Sequence, residues 1–167
     1  ATLAIEERHS VPLERIPLHV RLAFVAIEDQ RFLDHQGIDV VRTLRSIWVT
    51  YVQRGRREGG STITMQLARN LWPEDLPAAD RGWRRKVREI AVARHLETRM
   101  AKGEILERYL NTIYLGRGAY GVEAAARRYF GVSVTQLTVA QGAFLAALPK
   151  APSQMDPWRQ PARALQR

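Results

Sequence analysis

Three stretches of the sequence combine residue types that could act together on a substrate. The first, AIEDQRFLDHQG at residues 26 to 37, ends an apolar run with Glu28 and Asp29 and then places Phe32 and His35 before a glycine. Partial burial of Glu28 at the end of an apolar helix would make it a usable proton acceptor. Asp29 could cap a helix, and His35 could fix the turn through a hydrogen bond. A surface carboxylate without a chemical role is the simpler interpretation of Glu28 taken alone.

The second stretch, GGSTITMQLARN at residues 59 to 70, is typical of a helix start that binds an anion. Two glycines precede Ser61 and Thr62, so free backbone N–H groups, hydroxyls and the positive end of the helix dipole would meet there. Gln66 and Arg69 project from the following turns. An ordinary N-cap followed by a solvated arginine is also compatible with this stretch.

The third stretch, DRGWRRKVREI at residues 80 to 90, crowds cations around one carboxylate. On a helix Arg81 and Arg85 share a face, and Glu89 follows Arg85 by four positions and Lys86 by three, so it could pair with either. A solvated basic face is the alternative interpretation. The apolar residues that interrupt the stretch indicate that part of this face points inward.

The three stretches together supply a candidate base, a second carboxylate, an anion-binding helix start and clustered cations. Two carboxylates alone would suggest a glycoside hydrolase. A hydrolase of a neutral glycan has no need of an anion site, whereas transfer of a sugar from a diphosphate needs cations to stabilise the departing charge. The charge pattern therefore favours a transferase.

Helices are the elements that must position these residues. Apolar residues recur at spacings of three and four, and no clean two-residue alternation is bounded by turn signals, so we expect an all-α fold. One apolar face of the first helix should carry Leu18, Leu22, Val25, Ala26 and Phe32. The pattern predicts a helix from Ser61 and others over about residues 17–32, 38–53, 81–99, 102–115, 121–130 and 138–148, the last with a capping box at Thr138 and Gln141.

Length and composition limit the class of protein. A chain of 167 residues is enough for one domain with its own core. The net charge of +9 and the pI of about 10.7 favour an anionic partner, whether nucleic acid, anionic lipid or a phosphorylated substrate. The absence of cysteine excludes a disulfide framework and a thiolate metal site. With no spanning apolar run and no signal peptide at its start, we expect an excised domain from which any N-terminal anchor has been removed.

Five segments, in order along nearly the whole chain, resemble the motifs of the peptidoglycan glycosyltransferases. This family comprises the transglycosylase domains of class A penicillin-binding proteins and the monofunctional transglycosylases. Five motifs in order are specific, although any one of them would be weak. The segments are EDQRFLDHQG (28–37), GGSTITMQ (59–66), RRKVRE (84–89), KGEILERYLN (102–111), and GRGAYGVEAAARRYFG (116–131) followed by LAALPKAPS (145–153).

The resemblance implies an all-α, lysozyme-like domain over residues 1–167, with a smaller membrane-associating jaw subdomain that we expect at about 38–60. It implies polymerisation of lipid II at the extracytoplasmic face of the bacterial membrane. The 4-hydroxyl of the acceptor GlcNAc attacks the anomeric carbon of a lipid-diphosphate donor chain, with inversion to a β-1,4 bond and release of undecaprenyl diphosphate. The implied partners are lipid II, the lipid-linked glycan and the membrane surface.

The resemblance also assigns roles by motif position. Glu28 matches the base, and Glu89 matches a second carboxylate that acts on the donor diphosphate directly or through a divalent cation, Mg²⁺ or Mn²⁺; no other cofactor is implied. The remaining site residues are those matched to the diphosphate and the neighbouring sugar, Ser61, Gln66, Arg69, Arg81 and Lys86, and those that shape the surroundings of the base, Phe32 and His35.

Two positions depart from the family's usual pattern. Met65-Gln66 stands where the family usually has Gln-Gln, so we assign the role to Gln66. Arg69 stands where many members have Lys, which keeps the charge but replaces a point charge by a planar fork.

The helix expected at 38–53 has two interpretations. It is either an amphipathic core helix or, as the implied jaw suggests, a helix lying in a lipid interface, where Trp48, Tyr51 and the flanking arginines would suit the boundary. In the second case the positive net charge would also attract anionic lipid.

Two other functions stay open at this point. A lytic or hydrolytic enzyme of the same lysozyme-like architecture would cleave glycan without needing a lipid diphosphate. A nucleic-acid-binding module would suit the pI, but zinc-finger spacing, a basic zipper and an aromatic RNA-binding strand are all missing, so we expect no nucleic acid partner. A transpeptidase domain linked to this one in a longer protein also stays open.

Overall fold

The computed structural model describes residues 10–51, 60–77, 80 and 82–149, and within these residues the fold is helical. Besides the helices they hold one isolated backbone bridge, between Tyr114 and Tyr120, and no strand. The predicted all-α class is therefore confirmed. The jaw subdomain at about 38–60 stays a prediction, because much of that segment lies outside the described residues.

Seven α-helices and two short 3-10 helices occupy these described ranges. The 3-10 helices are Leu13–Arg15 and Val134–Gln136. The α-helices are α1 (Leu18–Glu28), α2 (Val40–Tyr51), α3 (Ile63–Leu71), α4 (Trp83–Arg99), α5 (Lys102–Thr112), α6 (Val122–Phe130) and α7 (Val139–Ala147). Every helix expected from the sequence is present, and the predicted capping box of Thr138 and Gln141 at the start of α7 is confirmed.

The end of α1 differs most from the prediction. We expected this helix to run to residue 32, but it ends at Glu28 and a series of turns follows. The turns end at Gly37, whose φ of +86° is costly for residues with a side chain. A Cβ at Gly37 would also lie 2.9 Å from the carbonyl carbon of Ala93 on α4. The close approach to α4 thus requires glycine.

The apolar face predicted for α1 is not the buried face of the helix, although Phe32, beyond its end, is buried. Leu18 and Leu22 are 59% and 55% exposed, whereas Val20 and Phe24 are fully buried. Two apolar stripes run along this helix, and periodicity alone does not select between them. The packing of α7 selects the second stripe, because Gly142 comes so close that a Cβ there would lie 3.1 Å from a Val20 methyl group.

The chain divides into two compact units. One consists of Ala1–Phe24 and Leu110–Arg167, the other of Val25–Tyr109, and the boundaries fall within α1 and α5. Every site residue expected from the sequence belongs to the second unit. In that unit α3 is buried from Ile63 to Ala68 and packs against α4.

The apolar side chains of α2 that the structure describes do not support the core-helix interpretation. Among these, Val40, Val41, Leu44 and Trp48 are each more than half exposed. No helix in the described ranges combines the length and the hydropathy needed to cross a bilayer.

Candidate active site

Glu28 is held at the end of α1 by groups from two other helices. Its carboxylate oxygen Oε2 accepts a hydrogen bond of 2.9 Å from Nε2 of Gln66 on α3. Its backbone carbonyl accepts from the guanidinium of Arg42 on α2. The residue as a whole is partly buried, although its Oε1 atom is enclosed. A carboxylate held in a fixed position is one requirement for a general base.

Asp29 joins the turn after Glu28 to the start of α3. The carboxylate is fully buried, and its Oδ2 atom accepts from the backbone N–H of Ile63 at 3.0 Å and from Nε2 of His35 at 2.9 Å. The prediction that His35 fixes the turn is confirmed. Asp29 caps a helix as expected, although the capped helix is α3 and not its own.

Phe32 supports the same turn from the interior. Its ring is 1% exposed and meets the ring of His35 edge-on, with the centroids 6.3 Å apart. The ammonium of Lys102 lies 4.5 Å from the centre of the Phe32 ring and donates to the His35 carbonyl at 2.6 Å. Phe32 and His35 therefore support the turn from positions almost closed to solvent.

Glu89 on α4 forms ion pairs with three cationic side chains. Its buried carboxylate contacts Arg69, Arg85 at 3.1 Å and Lys86 at 3.0 Å. The pairing of Glu89 with Arg85 and Lys86 is the one that the helical spacing predicted. The three cations are 24%, 13% and 34% exposed, so each retains some access to solvent. One carboxylate against three cations leaves a local surplus of positive charge, which suits an anionic ligand.

Ser61 and Met65 add to this cluster from the start of α3. The ammonium of Lys86 donates to the Ser61 hydroxyl at 3.0 Å and lies 3.3 Å from the Met65 sulfur. Burial lowers the pKa of Lys86, and the pairing with Glu89 only partly offsets this effect. The cluster thus contains one hydroxyl, two planar guanidinium groups and one ammonium group.

The N–H groups at the start of α3 are less available than the sequence suggested. That of Ile63 donates to Asp29, and that of Met65 donates to the Thr62 hydroxyl at 3.2 Å. These two groups are engaged within the protein. Anion binding in this region would therefore depend on the cations and on Ser61.

Comparison with known proteins identifies the family. The chain matches the family described as Transglycosylase over residues 1–167. The chain belongs to the transglycosylase family. It is 48% identical over 166 residues to penicillin-binding protein 1A of Aquifex aeolicus, covering 99% of this chain and 22% of that protein. It is 43% identical over 167 residues to penicillin-binding protein 1F of Bacillus subtilis, covering 100% and 23%. The chain thus spans less than a quarter of the length of these relatives.

Some residues of this transglycosylase domain were not foreseen. Tyr109 on α5 donates to the Gln66 amide, yet in the sequence it looks like one more apolar residue of a helix. In the sequence Arg42 is one of the arginines that flank the amphipathic face of the helix expected at 38–53. Its contact with Glu28 spans fourteen positions. Arg81, which the motif resemblance included, lies outside the described residues. Met65, the departure from the usual glutamine, contacts Lys86.

The residues around Glu89 do not fit a divalent cation. Such ions bind where several oxygen ligands converge. The side chains within ion-pair distance of Glu89 are all cationic, and the described residues contain no group of three His, Cys, Asp or Glu side chains that could hold a metal ion.

Proposed function

We propose that this domain is a peptidoglycan glycosyltransferase that polymerises lipid II into β-1,4 glycan. The observation that carries the proposal is the occurrence, in one compact unit, of a held carboxylate, Glu28, and a cationic cluster around Glu89. A base and a diphosphate site are the two parts that sugar transfer from a lipid diphosphate requires. Membership of the transglycosylase family supports the same reaction class.

Glu28 is the general base of the proposed reaction. It takes the proton of the acceptor's 4-hydroxyl while that oxygen forms a bond to the anomeric carbon of the donor. The bond from that carbon to the diphosphate oxygen breaks, and attack from the opposite face inverts the configuration. The hydrogen bond from Gln66 stabilises the ionised carboxylate that the step consumes.

The cations around Glu89 bind the donor diphosphate and stabilise the charge that develops as it leaves. Arg69 offers a planar fork to two phosphate oxygens, and Lys86 offers a compact charge beside the Ser61 hydroxyl. Glu89 already contacts three cations, so its role is to hold them in position. The assignment of Arg81 to the same diphosphate rests on its motif position alone.

Because the donor carries a lipid chain, the reaction takes place at a membrane surface, and the motif resemblance supports the extracytoplasmic face. The exposed apolar side chains of α2 support this placement, since a lipid interface would cover them. A net charge of +9 attracts the domain to anionic lipid. We assign α2 to the jaw subdomain on this basis.

The test is polymerisation of labelled lipid II in detergent, with products separated by size. We compare the wild type with Glu28→Gln, and with Glu74→Gln as a matched loss of a carboxylate from an exposed loop. Polymer from the wild type and Glu74→Gln, and none from folded Glu28→Gln, is the expected result. Full activity in Glu28→Gln would remove the base assignment.

The same assay separates the competing functions. A folded wild type that makes no polymer but shortens preformed glycan would be a lytic enzyme. A folded wild type that does neither would contradict the proposed reaction altogether.

A further inference from the structure

Two hydrogen bonds connect α5 to Glu28 through α3. The hydroxyl of Tyr109 donates to Oε1 of Gln66 at 3.3 Å, and Nε2 of Gln66 donates to Oε2 of Glu28 at 2.9 Å. Tyr109 is fully buried and Gln66 is 7% exposed, so water has little opportunity to replace either partner. All three residues lie in the same compact unit.

The chemistry of the three groups determines which one donates and which one accepts in each of the two hydrogen bonds. An ionised carboxylate only accepts hydrogen bonds, so the Gln66 amide must present its NH₂ group to Glu28. Its carbonyl oxygen then faces Tyr109, which is able to donate. Rotating the amide by half a turn would place a carbonyl oxygen against the carboxylate, and the two acceptors would repel each other.

We propose that Tyr109 is a positioning residue for the base, because its hydroxyl holds the Gln66 side chain in the place from which the NH₂ group donates to Glu28. The inference rests on the proposed function, in which Glu28 takes the acceptor's proton. It gives Gln66 a second role besides the diphosphate contact implied by its motif position. The contact through which Tyr109 would position the base is its hydrogen bond to the Gln66 amide.

Tyr109 stays a donor throughout the pH range of an assay. Burial raises the pKa of its phenol well above the ordinary value, and the charge of Glu28 raises it further, against the opposing effect of Arg69. The phenol therefore keeps its proton, and the orientation of the Gln66 amide does not change with pH.

Other charged groups also face Glu28, and the test must allow for them. Asp29 is its neighbour in sequence and pairs with His35, Arg42 donates to its carbonyl, and Arg69 follows Gln66 by three positions on α3. None of these residues is altered in the variants below. Their contributions to kcat are therefore common to all the proteins compared.

The experiment is a double-mutant cycle on lipid II polymerisation, with Tyr109→Phe, Gln66→Met and the double variant. Tyr109→Phe removes only the hydroxyl. We expect kcat to fall by about two- to tenfold with KM unchanged, as loss of one hydrogen bond between neutral groups implies. Adding Tyr109→Phe to Gln66→Met should change kcat no further, because the Gln66 amide is already gone.

Tyr129→Phe is the matched control. Tyr129 is also a buried tyrosine, and its hydroxyl donates to the Leu115 carbonyl at 2.8 Å in the other unit. We expect it to lower the thermal midpoint while leaving kcat unchanged. Effects of Tyr109→Phe and Gln66→Met that multiply in the double variant would overturn the inference while leaving the proposed function intact. A wild type without polymerase activity would overturn both.

A measurement on the wild type keeps the inference testable even if Tyr109→Phe does not fold. The two Nε2 protons of Gln66 can be assigned by NMR, because their signals are absent from Gln66→Met. The signal of the proton that faces Glu28 should move as the carboxylate is titrated, while the two signals stay distinct. Averaged signals, or signals that do not respond to pH, would show that the amide is not fixed against Glu28 and would overturn the inference.

Discussion

Replacement of Glu89 by glutamine should destabilise the domain by several kcal/mol. The change keeps the shape of the side chain but removes the charge that three cations share. Breaking a buried ion pair by removing one partner costs about 3–5 kcal/mol. Here the three cations are 13–34% exposed, and water compensates part of their charge, so we expect a loss of about 2–3 kcal/mol.

The loss can be measured by urea unfolding followed by circular dichroism, and by the thermal midpoint. For a domain of this size each kcal/mol lowers the midpoint by about 2–4 °C, so we expect a fall of roughly 5–10 °C. The matched control is Glu104→Gln, which breaks an exposed pair with Arg108, where the N–O distance is 3.0 Å. A surface pair of this kind is worth less than about 1 kcal/mol.

Salt distinguishes the two variants further. Added salt should abolish the effect of Glu104→Gln, because exposed charges are screened, and should leave most of the effect of Glu89→Gln. Equal losses in the two variants, or an effect of Glu89→Gln that disappears in salt, would refute the view that Glu89 organises the cluster from a buried position.

Three further predictions concern the turn, the donor site and α2. Gly37→Ala should lower both thermal stability and polymerisation rate, because the added Cβ would lie 2.9 Å from the Ala93 carbonyl carbon in a left-handed backbone; unchanged melting would contradict the close approach. Burial lowers the pKa of Lys86, so as the pH rises this side chain should lose its charge, and with it donor binding, at a lower pH than an ordinary lysine would. Lys86→Arg should keep the charge and so keep KM low to more alkaline pH. Identical profiles of KM against pH for the two proteins would refute this. Leu44→Ser on α2 should weaken binding to phosphatidylglycerol vesicles by about tenfold or more, as loss of a buried leucine implies, whereas the exposed Leu33→Ser should not; equal effects would argue against α2 as the lipid-facing element.

The sequence predicted well what depends on local spacing. Glu89 pairs with Arg85 and Lys86 because residues three and four apart share a helix face, and that rule needs no tertiary structure. The contact of Glu89 with Arg69 spans twenty positions, and that of Glu28 with Gln66 spans thirty-eight. Neither leaves a periodic signal, so only the order of the family motifs suggested that these residues meet.

The predictions that failed did so because they could not include contacts between residues far apart in the sequence. The expected extension of α1 to residue 32 ignored Asp29, whose carboxylate binds the N–H of Ile63 from another helix. Tyr109 resembled a core residue in the sequence, because the hydrogen-bond partner of its hydroxyl, Gln66, lies forty-three positions away. In each case a long-range polar contact decided what the local pattern left open.

The shared carboxylate of Asp29 has a consequence for the local stability of the site. One side chain accepts from the ring of His35 and from the first N–H of α3, so it ties the turn after Glu28 to the helix that carries Gln66 and Arg69. The hydroxyl of Thr62 ties the same two segments a second time by donating to the Gly37 carbonyl. Local opening of the turn and of the start of α3 should therefore be coupled, and hydrogen exchange of their amides should report the two segments opening together.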